Sequence, residues 1–403
     1  MIPRLKPYYN SREVLAALSF FEKDAVSRYE KDFADLIGSK YALAFPYGRS
    51  ALYTIFKALG ISNTEVIIPA YTCIVVANAT VLAGNMPRFI DITLPTYNMN
   101  LDDLPQKINK NTGAIIATHL FGYPLDTEKL QEIVHQAERR FQRKIYIIQD
   151  CAHSFGAEWN GKSVCTEKDI AIFGLNISKI ISSIFGGMLT TDDEQLYFKL
   201  IEMRNTQMRK PHRLKNLKRL FYLLAVQIAF NRSMYTLVNL LEMNTPFLKS
   251  FTDYYKEDTI DLPKDFLDQM LDIEARVGIE QIKKYRQIVE RRVQIAQRYH
   301  HKLSQNKNLI LPPLFEGATF SHYVPLVNDR QMIINRMRKL GVQIGWLIEY
   351  SIPELDAYTK WKDGDFPVSY QCSKNTINLP NWPGLNNKDI DTVIRKLEQA
   401  LST

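Results

Sequence analysis

Ile145-Tyr-Ile-Ile-Gln-Asp150 is an apolar run that ends in a carboxylate, and Ile172-Phe-Gly-Leu-Asn-Ile-Ser-Lys179 is a second run that leads to a lysine. Between about residues 40 and 200, short β-branched runs of this kind alternate with longer helical patterns. This alternation predicts an α/β fold with a mostly parallel central sheet flanked by helices. Ligand sites on such sheets lie beyond the carboxyl ends of the strands, where Asp150 and His119 both fall.

Lys179 and Asp150 are the residue types that a pyridoxal phosphate site requires. A lysine amine holds the aldehyde of that cofactor covalently, and a carboxylate beside the ring nitrogen keeps the nitrogen protonated. Taken by themselves, a lysine and an aspartate are more often solvated charges or helix caps. The surrounding sequence therefore has to support the assignment.

A candidate phosphate site precedes the helical pattern of Ala51 to Leu59. It is Tyr47-Gly-Arg-Ser50, in which Gly48 permits close backbone approach and the helix N-terminus offers unpaired N–H groups. Arg49 or Ser50 adds a side-chain donor. The alternative is that Gly48 and Ser50 only turn and cap the helix.

The composition is that of a soluble protein. A chain of 403 residues exceeds what one hydrophobic core usually holds, which predicts two domains. The four cysteines form neither a C-x-x-C pair nor a zinc spacing, so we expect no disulfide framework and no metal site. The N-terminus lacks the apolar core of a signal peptide, which predicts a cytoplasmic protein. A net charge of +8 without a nucleic-acid-binding motif indicates anionic substrates or an anionic membrane surface rather than nucleic acid.

The sequence divides into five parts. They are an N-terminal segment (1–30), a large cofactor-binding domain (31–206), a basic and apolar helical insertion (207–262), a linking helix (263–301) and a small C-terminal α+β domain (302–403). Within the linking part, the pattern from Asp272 to His300 predicts one long helix.

The insertion has two interpretations. Seven Lys/Arg residues lie between Arg204 and Arg219, and an apolar stretch, Leu220 to Phe230, follows them. This stretch is about half the length that spans a bilayer. A basic segment followed by an apolar helix predicts peripheral membrane contact through residues 207–243 at the cytoplasmic face. The alternative is a helical hairpin that packs on its own domain or on a second subunit, with its basic residues solvated.

From about Glu30 to the C-terminus, the chain resembles the DegT/DnrJ/EryC1/StrS family of sugar aminotransferases, which have the aspartate aminotransferase fold, the PLP-dependent transferase fold type I. The resemblance rests on short segments that follow one another in the order typical of the family. They are Tyr41-Ala-Leu-Ala-Phe-Pro-Tyr-Gly-Arg-Ser-Ala-Leu52, Val66-Ile-Ile-Pro-Ala-Tyr-Thr72, Phe89-Ile-Asp91, His119-Leu-Phe-Gly122, Asp150-Cys-Ala-His-Ser-Phe-Gly-Ala157, Lys179, Gly186-Gly187, Met270-Leu-Asp-Ile-Glu-Ala275 to Gln281, and Asn378-Leu-Pro380.

The resemblance implies roles for individual residues. Lys179 and Asp150 are then catalytic, and the ion pair with the cofactor lowers the pKa of Asp150. Gly174 stands where many relatives place a serine on the phosphate, so that contact is lost or is replaced by Asn176 or Ser178. Leu267 stands where relatives place a neighbouring subunit's asparagine on the phosphate, and this inter-subunit contact cannot be carried over. The implied cofactor-binding residues are Gly48, Arg49, Ser50, Cys73 on the ring face, Asp150, His153 on the ring oxygen, Asn176, Ser178 and Lys179.

The implied activity is transfer of an amino group from an amino acid, glutamate, to a nucleotide-linked keto-sugar in cell-surface glycan or amino-sugar biosynthesis. The implied assembly is a homodimer. A lysine at position 179, where the dehydratase branch has histidine, favours transamination. Other chemistry on the same fold, such as sugar dehydration or an amino-acid substrate, and a non-catalytic regulatory or scaffold protein remain as alternatives. Candidate substrate contacts are His119, His322, Tyr323 and Trp346, with Tyr350 as a further one.

Overall fold

The computed structural model describes residues 1–19, 24–166, 170–244 and 259–402. Their strands are β1 (Tyr41–Phe45), β2 (Glu65–Pro69), β3 (Met86–Ile90), β4 (Thr112–Thr118), β5 (Tyr146–Asp150), β6 (Glu158–Trp159), β7 (Lys162–Ser163), β8 (Ile170–Gly174), β9 (Gly187–Thr191), β10 (Leu309–Ile310) and β11 (Leu326–Val327).

A seven-stranded sheet in the order β1-β9-β8-β5-β4-β2-β3 forms the centre of the molecule. The pairs from β8 to β3 are parallel, whereas β9 runs antiparallel to both β8 and β1. The predicted mostly parallel sheet is therefore confirmed. The antiparallel β9 brings Gly187 beside the candidate phosphate segment.

Helices flank this sheet, as the sequence pattern predicts. The helices of the described residues are α1 (Ser11–Leu18), α2 (Ala25–Ile37), α3 (Gly48–Ala58), α4 (Ile74–Leu82), α5 (Leu104–Lys107), α6 (Thr127–Phe141), α7 (Glu194–Gln207), α8 (Arg213–Ala229), α9 (Arg232–Asn244), α10 (Asp272–Ile282), α11 (Tyr285–Leu303), α12 (Arg330–Lys339), α13 (Pro367–Asn375) and α14 (Asn387–Ser402).

Both faces of the sheet are covered, so the central strands are apolar on both sides. Every residue of β4 is buried. Ile115 and Ala117 belong to a cluster with Leu130 and Val134 of α6, while Ile116 belongs to the larger cluster on the opposite face. Continuous apolar runs, rather than alternating ones, are what a covered parallel sheet requires.

The linking part was predicted to be one long helix, and this prediction is wrong. It consists of α10 and α11, which are separated at Lys283 and Lys284. The two helices pack on different partners, because α10 contacts α1 and α2 whereas α11 contacts α14 of the C-terminal part. A Cβ on Gly278 of α10 would lie 2.3 Å from Tyr29 Cζ, so α10 is held tightly against α2.

The insertion contains a helical hairpin, α8 and α9, whose inner side packs on its own chain. Leu220 and Leu223 join a cluster with Ile273 and Val277 of α10. The expectation that the basic residues are solvated is wrong for two residues of α8. Residues 245–258 of the predicted insertion lie outside the described part of the chain. Among the residues that are described, no helix is long and apolar enough to cross a membrane.

The two basic residues of α8 that are not solvated are Lys215 and Arg219, whose side chains are only 15 and 14 % exposed. Lys215 Nζ lies 2.7 Å from Asp265 and 2.9 Å from Asp268, and Arg219 Nε lies 2.7 Å from Glu274. Arg219 also stacks on a phenylalanine ring, with 4.0 Å between its Cζ and the ring centroid. The inner basic side chains of α8 therefore anchor the helix to the protein.

Candidate active site

The two predicted catalytic residues follow neighbouring parallel strands. Asp150 is the last residue of β5, and Lys179 follows β8 after a tight turn. In that turn the N–H and Oγ–H of Ser178 donate to Asn176 Oδ1 at 2.9 and 2.6 Å, and the Lys179 N–H donates to the Asn176 carbonyl at 3.0 Å. The Asn176 side chain therefore fixes the backbone that carries the lysine.

Burial shifts the pKa of both groups. It raises the pKa of Asp150, and this outweighs the Ala152 N–H, 3.1 Å from Oδ1, and the Lys179 amine, which lower it. Burial also lowers the pKa of Lys179, and this outweighs the electrostatic interactions with Cys73 and Asp150, which raise it. The lowered pKa that the resemblance implies for Asp150 concerns its ion pair with the bound cofactor and stays a prediction; without cofactor, desolvation is the largest effect on this carboxyl group. Lys179 is more readily a neutral amine, the form that attacks an aldehyde.

The predicted phosphate segment lies at the N-terminus of α3, which begins at Gly48. The first N–H groups of a helix have no partner within the helix and are available to an anion. Ser50 is fully buried, and its Oγ has no hydrogen-bond partner among the described residues, so a donor is free at this point. Such an unused donor at a helix N-terminus fits a phosphate group.

Two glycines are required by close backbone contacts around this segment. A Cβ on Gly48 would lie 3.0 Å from the Phe173 carbonyl oxygen. A Cβ on Gly187 would lie 2.3 Å from the Tyr47 carbonyl carbon. β9 and the start of α3 therefore pack backbone against backbone, which explains the glycine at position 187.

One cleft connects these groups. Six of the predicted cofactor residues line it: Gly48, Arg49, Cys73, Asp150, Asn176 and Lys179. A lysine amine, a buried carboxylate and a helix N-terminus are what the aldehyde, ring nitrogen and phosphate of pyridoxal phosphate each need. The residues of this cleft therefore fit that cofactor.

His153 and His322 lie together and both interact electrostatically with Lys179. Their ring centroids are 4.9 Å apart, and the His153 ring stacks on Phe121 at 6.0 Å with an angle of 17°. Burial lowers the pKa of both histidines well below the usual range, and the Lys179 charge lowers them further. Both rings are therefore neutral near pH 7 and act as hydrogen-bonding groups rather than as cations.

His119 makes structural hydrogen bonds. It is fully buried, its Nδ1 accepts the Leu125 N–H at 2.9 Å, and its Nε2 donates to Gln149 Oε1 at 2.9 Å. Burial lowers its pKa to about 4, which keeps the ring neutral. With both ring nitrogens used, this geometry argues against the predicted substrate contact.

The remaining candidate substrate residues occupy different environments. Tyr323 is fully buried, and its hydroxyl has no hydrogen-bond partner in the part of the chain that is described. Trp346 is half-buried beneath Arg330, whose Cζ lies 5.2 Å from the ring centroid. The Tyr350 hydroxyl accepts the Ile74 N–H at 2.9 Å and so caps α4 directly after Cys73. Tyr350 therefore positions the cleft wall from the C-terminal part.

Sequence reasoning did not foresee that α8 reaches this site. The Tyr47 hydroxyl donates to both carboxylate oxygens of Asp265 at 3.0 Å, and Asp265 is in turn paired with Lys215 of α8. Tyr47 and Asp265 are 218 positions apart in the sequence, and Asp265 and Lys215 are 50 positions apart. No local pattern signals them, because each residue is an ordinary polar residue in its own segment.

The fold and the cleft together define a pyridoxal-phosphate-dependent enzyme of fold type I. The chain belongs to the DegT/DnrJ/EryC1/StrS aminotransferase family, whose model matches residues 9–239 and 254–398. It is therefore an aminotransferase, as the resemblance implies.

Individual relatives agree with this assignment. The GDP-perosamine synthase of Escherichia coli O157:H7 is 26 % identical over 385 residues, which cover 94 % of this chain and 90 % of that protein. The dTDP-3-amino-3,6-dideoxy-alpha-D-galactopyranose transaminase of Aneurinibacillus thermoaerophilus is 25 % identical over 382 residues, covering 93 and 89 %. A putative sugar aminotransferase of Streptococcus pneumoniae in its PMP-form has the same fold, with a TM-score of 0.79, 20 % identity and coverage of 100 and 99 %.

Proposed function

We propose that this enzyme transfers an amino group from an amino acid, glutamate, to a nucleotide-linked keto-sugar in cell-surface glycan or amino-sugar biosynthesis. The observation that carries the proposal is the presence of Lys179 and Asp150 in one cleft that fits pyridoxal phosphate. The names of two relatives, a GDP-perosamine synthase and a dTDP-linked amino-sugar transaminase, support a nucleotide-linked sugar. Retention of both residues argues against a non-catalytic scaffold, which needs neither.

Each residue of the cleft then has a defined task. When bound, pyridoxal phosphate supplies an aldehyde that combines with amines and a ring that withdraws electrons from the substrate carbon. Asp150 offers its carboxylate to the ring nitrogen and keeps it protonated. Ser50 and the N–H groups at the start of α3 hold the phosphate. Lys179 would hold the cofactor covalently, and its amine, when free, would move the proton at the substrate carbon.

The test is the absorption spectrum of the purified protein with pyridoxal phosphate, for the native chain and for Lys179→Ala. We expect a visible band in the native chain alone, and we expect glutamate to remove it. Turnover of Lys179→Ala should fall by a factor on the order of 10² to 10⁴ or more, since the lysine moves the proton. Lys162→Ala is the matched control, because Lys162 is an exposed lysine paired with Glu128.

Two results would change the proposal. A band that no amino donor alters would assign the enzyme to dehydration or another chemistry of this fold. The absence of a band in the native chain would favour a non-catalytic role.

We also propose that the enzyme is a cytoplasmic homodimer and that residues 207–243 contact a membrane. An apolar stripe on the outer side of the hairpin supports this contact. We define the outer stripe as seven exposed side chains of α8 and α9: Leu214, Leu217, Phe221, Ile228, Met234, Leu237 and Leu241, which are 60, 46, 63, 61, 41, 51 and 44 % exposed.

The spacing and charge of the hairpin favour an anionic lipid surface as the partner of the outer stripe. On α8 the members of the stripe recur every three, four or seven residues, which places them on one side of the helix. Residues 207–241 contain seven Lys/Arg and no Asp/Glu. Apolar side chains flanked by cations bind the interface of a bilayer that carries negative charge.

A further inference from the structure

A second cavity lies next to the cofactor cleft. It has a volume of about 50 Å³, and Ser178, the residue before the catalytic lysine, forms part of its wall. Other parts of the wall come from Arg4 in the N-terminal segment, Arg292 in α11, and His322 and Asn378 in the C-terminal part. The wall of this cavity contains two guanidinium groups and, among the described residues, no carboxylate.

Arg292 is a buried cation with an unused donor. It is 3 % exposed, and its Nη1 donates to the carbonyl oxygens of Ser321, at 2.7 Å, and Asn381. Its Nε has no hydrogen-bond partner among the described residues. Burial lowers the pKa of Arg292 to about 10. A buried cation without a carboxylate partner is unfavourable, and an anion in the cavity would compensate it.

Asn378 and Arg4 complete the polar wall. Asn378 is 4 % exposed, and its Oδ1 also has no partner in the described part of the chain. A half-turn of this amide exchanges its oxygen and nitrogen, so that the NH₂ group can face an anion. Arg4 donates from Nη1 to the Trp346 carbonyl oxygen, which holds its guanidinium group beside the cavity.

The size of the cavity restricts the anion. One water molecule needs about 10–15 Å³ of such space. A cavity of about 50 Å³ therefore holds about three to five heavy atoms. A carboxylate has three, whereas the pyrophosphate of a nucleotide sugar has nine.

We propose that the cavity between Arg4, Arg292 and Asn378 binds a carboxylate of the amino-acid donor. This inference rests on the proposed function, in which an amino acid gives up its amine at Lys179. The position of Ser178 directly before that lysine places the cavity where a group attached to the donor's reacting carbon can enter. Arg292 is then a binding residue, and its unused Nε–H donates a hydrogen bond to the carboxylate.

The test measures binding of glutarate, a dicarboxylate without an amine, by calorimetry to the protein as purified. We compare the native chain, Arg4→Met and Asn378→Ala. Each variant should weaken glutarate binding about ten- to hundredfold, the range expected for loss of one hydrogen bond to a charged group. Lys6→Met is the matched control, since Lys6 is a cation of the same segment that lies 5.5 Å from the Trp382 ring and lines a different cavity.

Turnover with different amino donors shows whether the cavity binds the donor's α-carboxylate or its side-chain carboxylate. If Arg4→Met raises the half-saturating concentrations of glutamate and alanine equally, the cavity binds the α-carboxylate; if it affects glutamate alone, it binds the side-chain carboxylate. Unchanged glutarate binding in both variants, or weakened binding of a nucleoside diphosphate in place of glutarate, would overturn the inference. A native enzyme whose absorption no donor changes would instead contradict the proposed function, so the two failures are separable.

Discussion

Asp150 shows how one residue is shaped by two opposing effects. Its burial raises the pKa of the carboxyl group, while the Ala152 N–H and the Lys179 amine lower it. The result is a carboxylate that is unfavourable by itself and ready to pair with a cation such as a protonated ring nitrogen. Function at this residue therefore costs stability when the cofactor is removed.

We predict that Asp150→Asn stabilises the protein without cofactor at neutral pH and weakens cofactor binding. An acid with a raised folded-state pKa stabilises the fold below its unfolded pKa, and this contribution is lost as the pH rises through the folded pKa. Urea unfolding at a series of pH values should show a smaller loss of stability with rising pH in Asp150→Asn than in the native chain. Equal pH dependence in the two proteins would contradict this prediction.

At the scale of elements, α8 has two sides with different tasks. Its inner side carries Arg219, which is paired with Glu274, a side chain that is 2 % exposed. Burial raises the pKa of Glu274, and the charge of Arg219 opposes that shift. The ion pair therefore keeps a buried carboxylate compensated and holds α8 on α10.

We predict that Arg219→Ala lowers the free energy of unfolding by about 3–5 kcal/mol, because it leaves Glu274 as an uncompensated buried charge. Arg209→Ala is the control on the same insertion. Arg209 is 64 % exposed and paired with Asp268, and loss of such an exposed pair should cost about 0–1 kcal/mol. Chemical denaturation of both variants measures the difference, and similar losses would show that the ion pair of Arg219 is not critical.

The outer side of α8 yields a second prediction at this scale. Replacing Leu217 and Phe221 together by serine should abolish sedimentation with vesicles of phosphatidylglycerol and phosphatidylcholine, since both side chains belong to the outer stripe. Lys218→Glu should weaken the same binding, because it reverses an exposed charge on that side. Neither change should alter turnover, as the stripe faces away from the packed side of α8.

Ile310→Ser is the control for the vesicle experiment, because Ile310 is 54 % exposed in β10 of the C-terminal part. If the native chain fails to sediment with anionic vesicles, the membrane contact is wrong. If the serine variant instead changes the molecular mass of the protein in solution, the outer stripe is an interface with a second copy.

For the whole molecule, the site depends on distant parts of one chain. Large-domain strand ends supply Asp150 and Lys179, α8 supports Tyr47 through Asp265, and the C-terminal part caps α4 through Tyr350. Unfolding should therefore couple the two domains. The cofactor binds at the centre of this arrangement. Its binding should therefore raise the midpoint of unfolding of both parts of the chain.

We predict a homodimer at this scale. Light scattering of the purified protein should give twice the chain mass of 46.7 kDa. A mass of one chain at the concentrations of the activity assay would contradict the homodimer. It would also mean that the active site is complete within a single chain.

The mostly parallel sheet and the glycine-opened helix that follows β1 could be predicted from the sequence alone, and the roles of Lys179 and Asp150 toward the cofactor stay predictions. These features are local, because strand runs, turns and helix starts depend on neighbouring residues. The break between α10 and α11 was missed, since nothing in the pattern at Lys283 and Lys284 forbids a continuous helix. That break exists because α10 packs on α1 and α2 whereas α11 packs on α14.

Only the tertiary structure decided which polar residues are buried and what they face. It showed that both ring nitrogens of His119 are already hydrogen-bonded, that burial raises the pKa of Asp150, and that Arg4 and Arg292 line one cavity beside the lysine. Desolvation and long-range contacts depend on the packing of segments that are distant in sequence. A residue's type determines which reactions and contacts are open to it. Its burial and its neighbours in the folded chain determine which of these it makes.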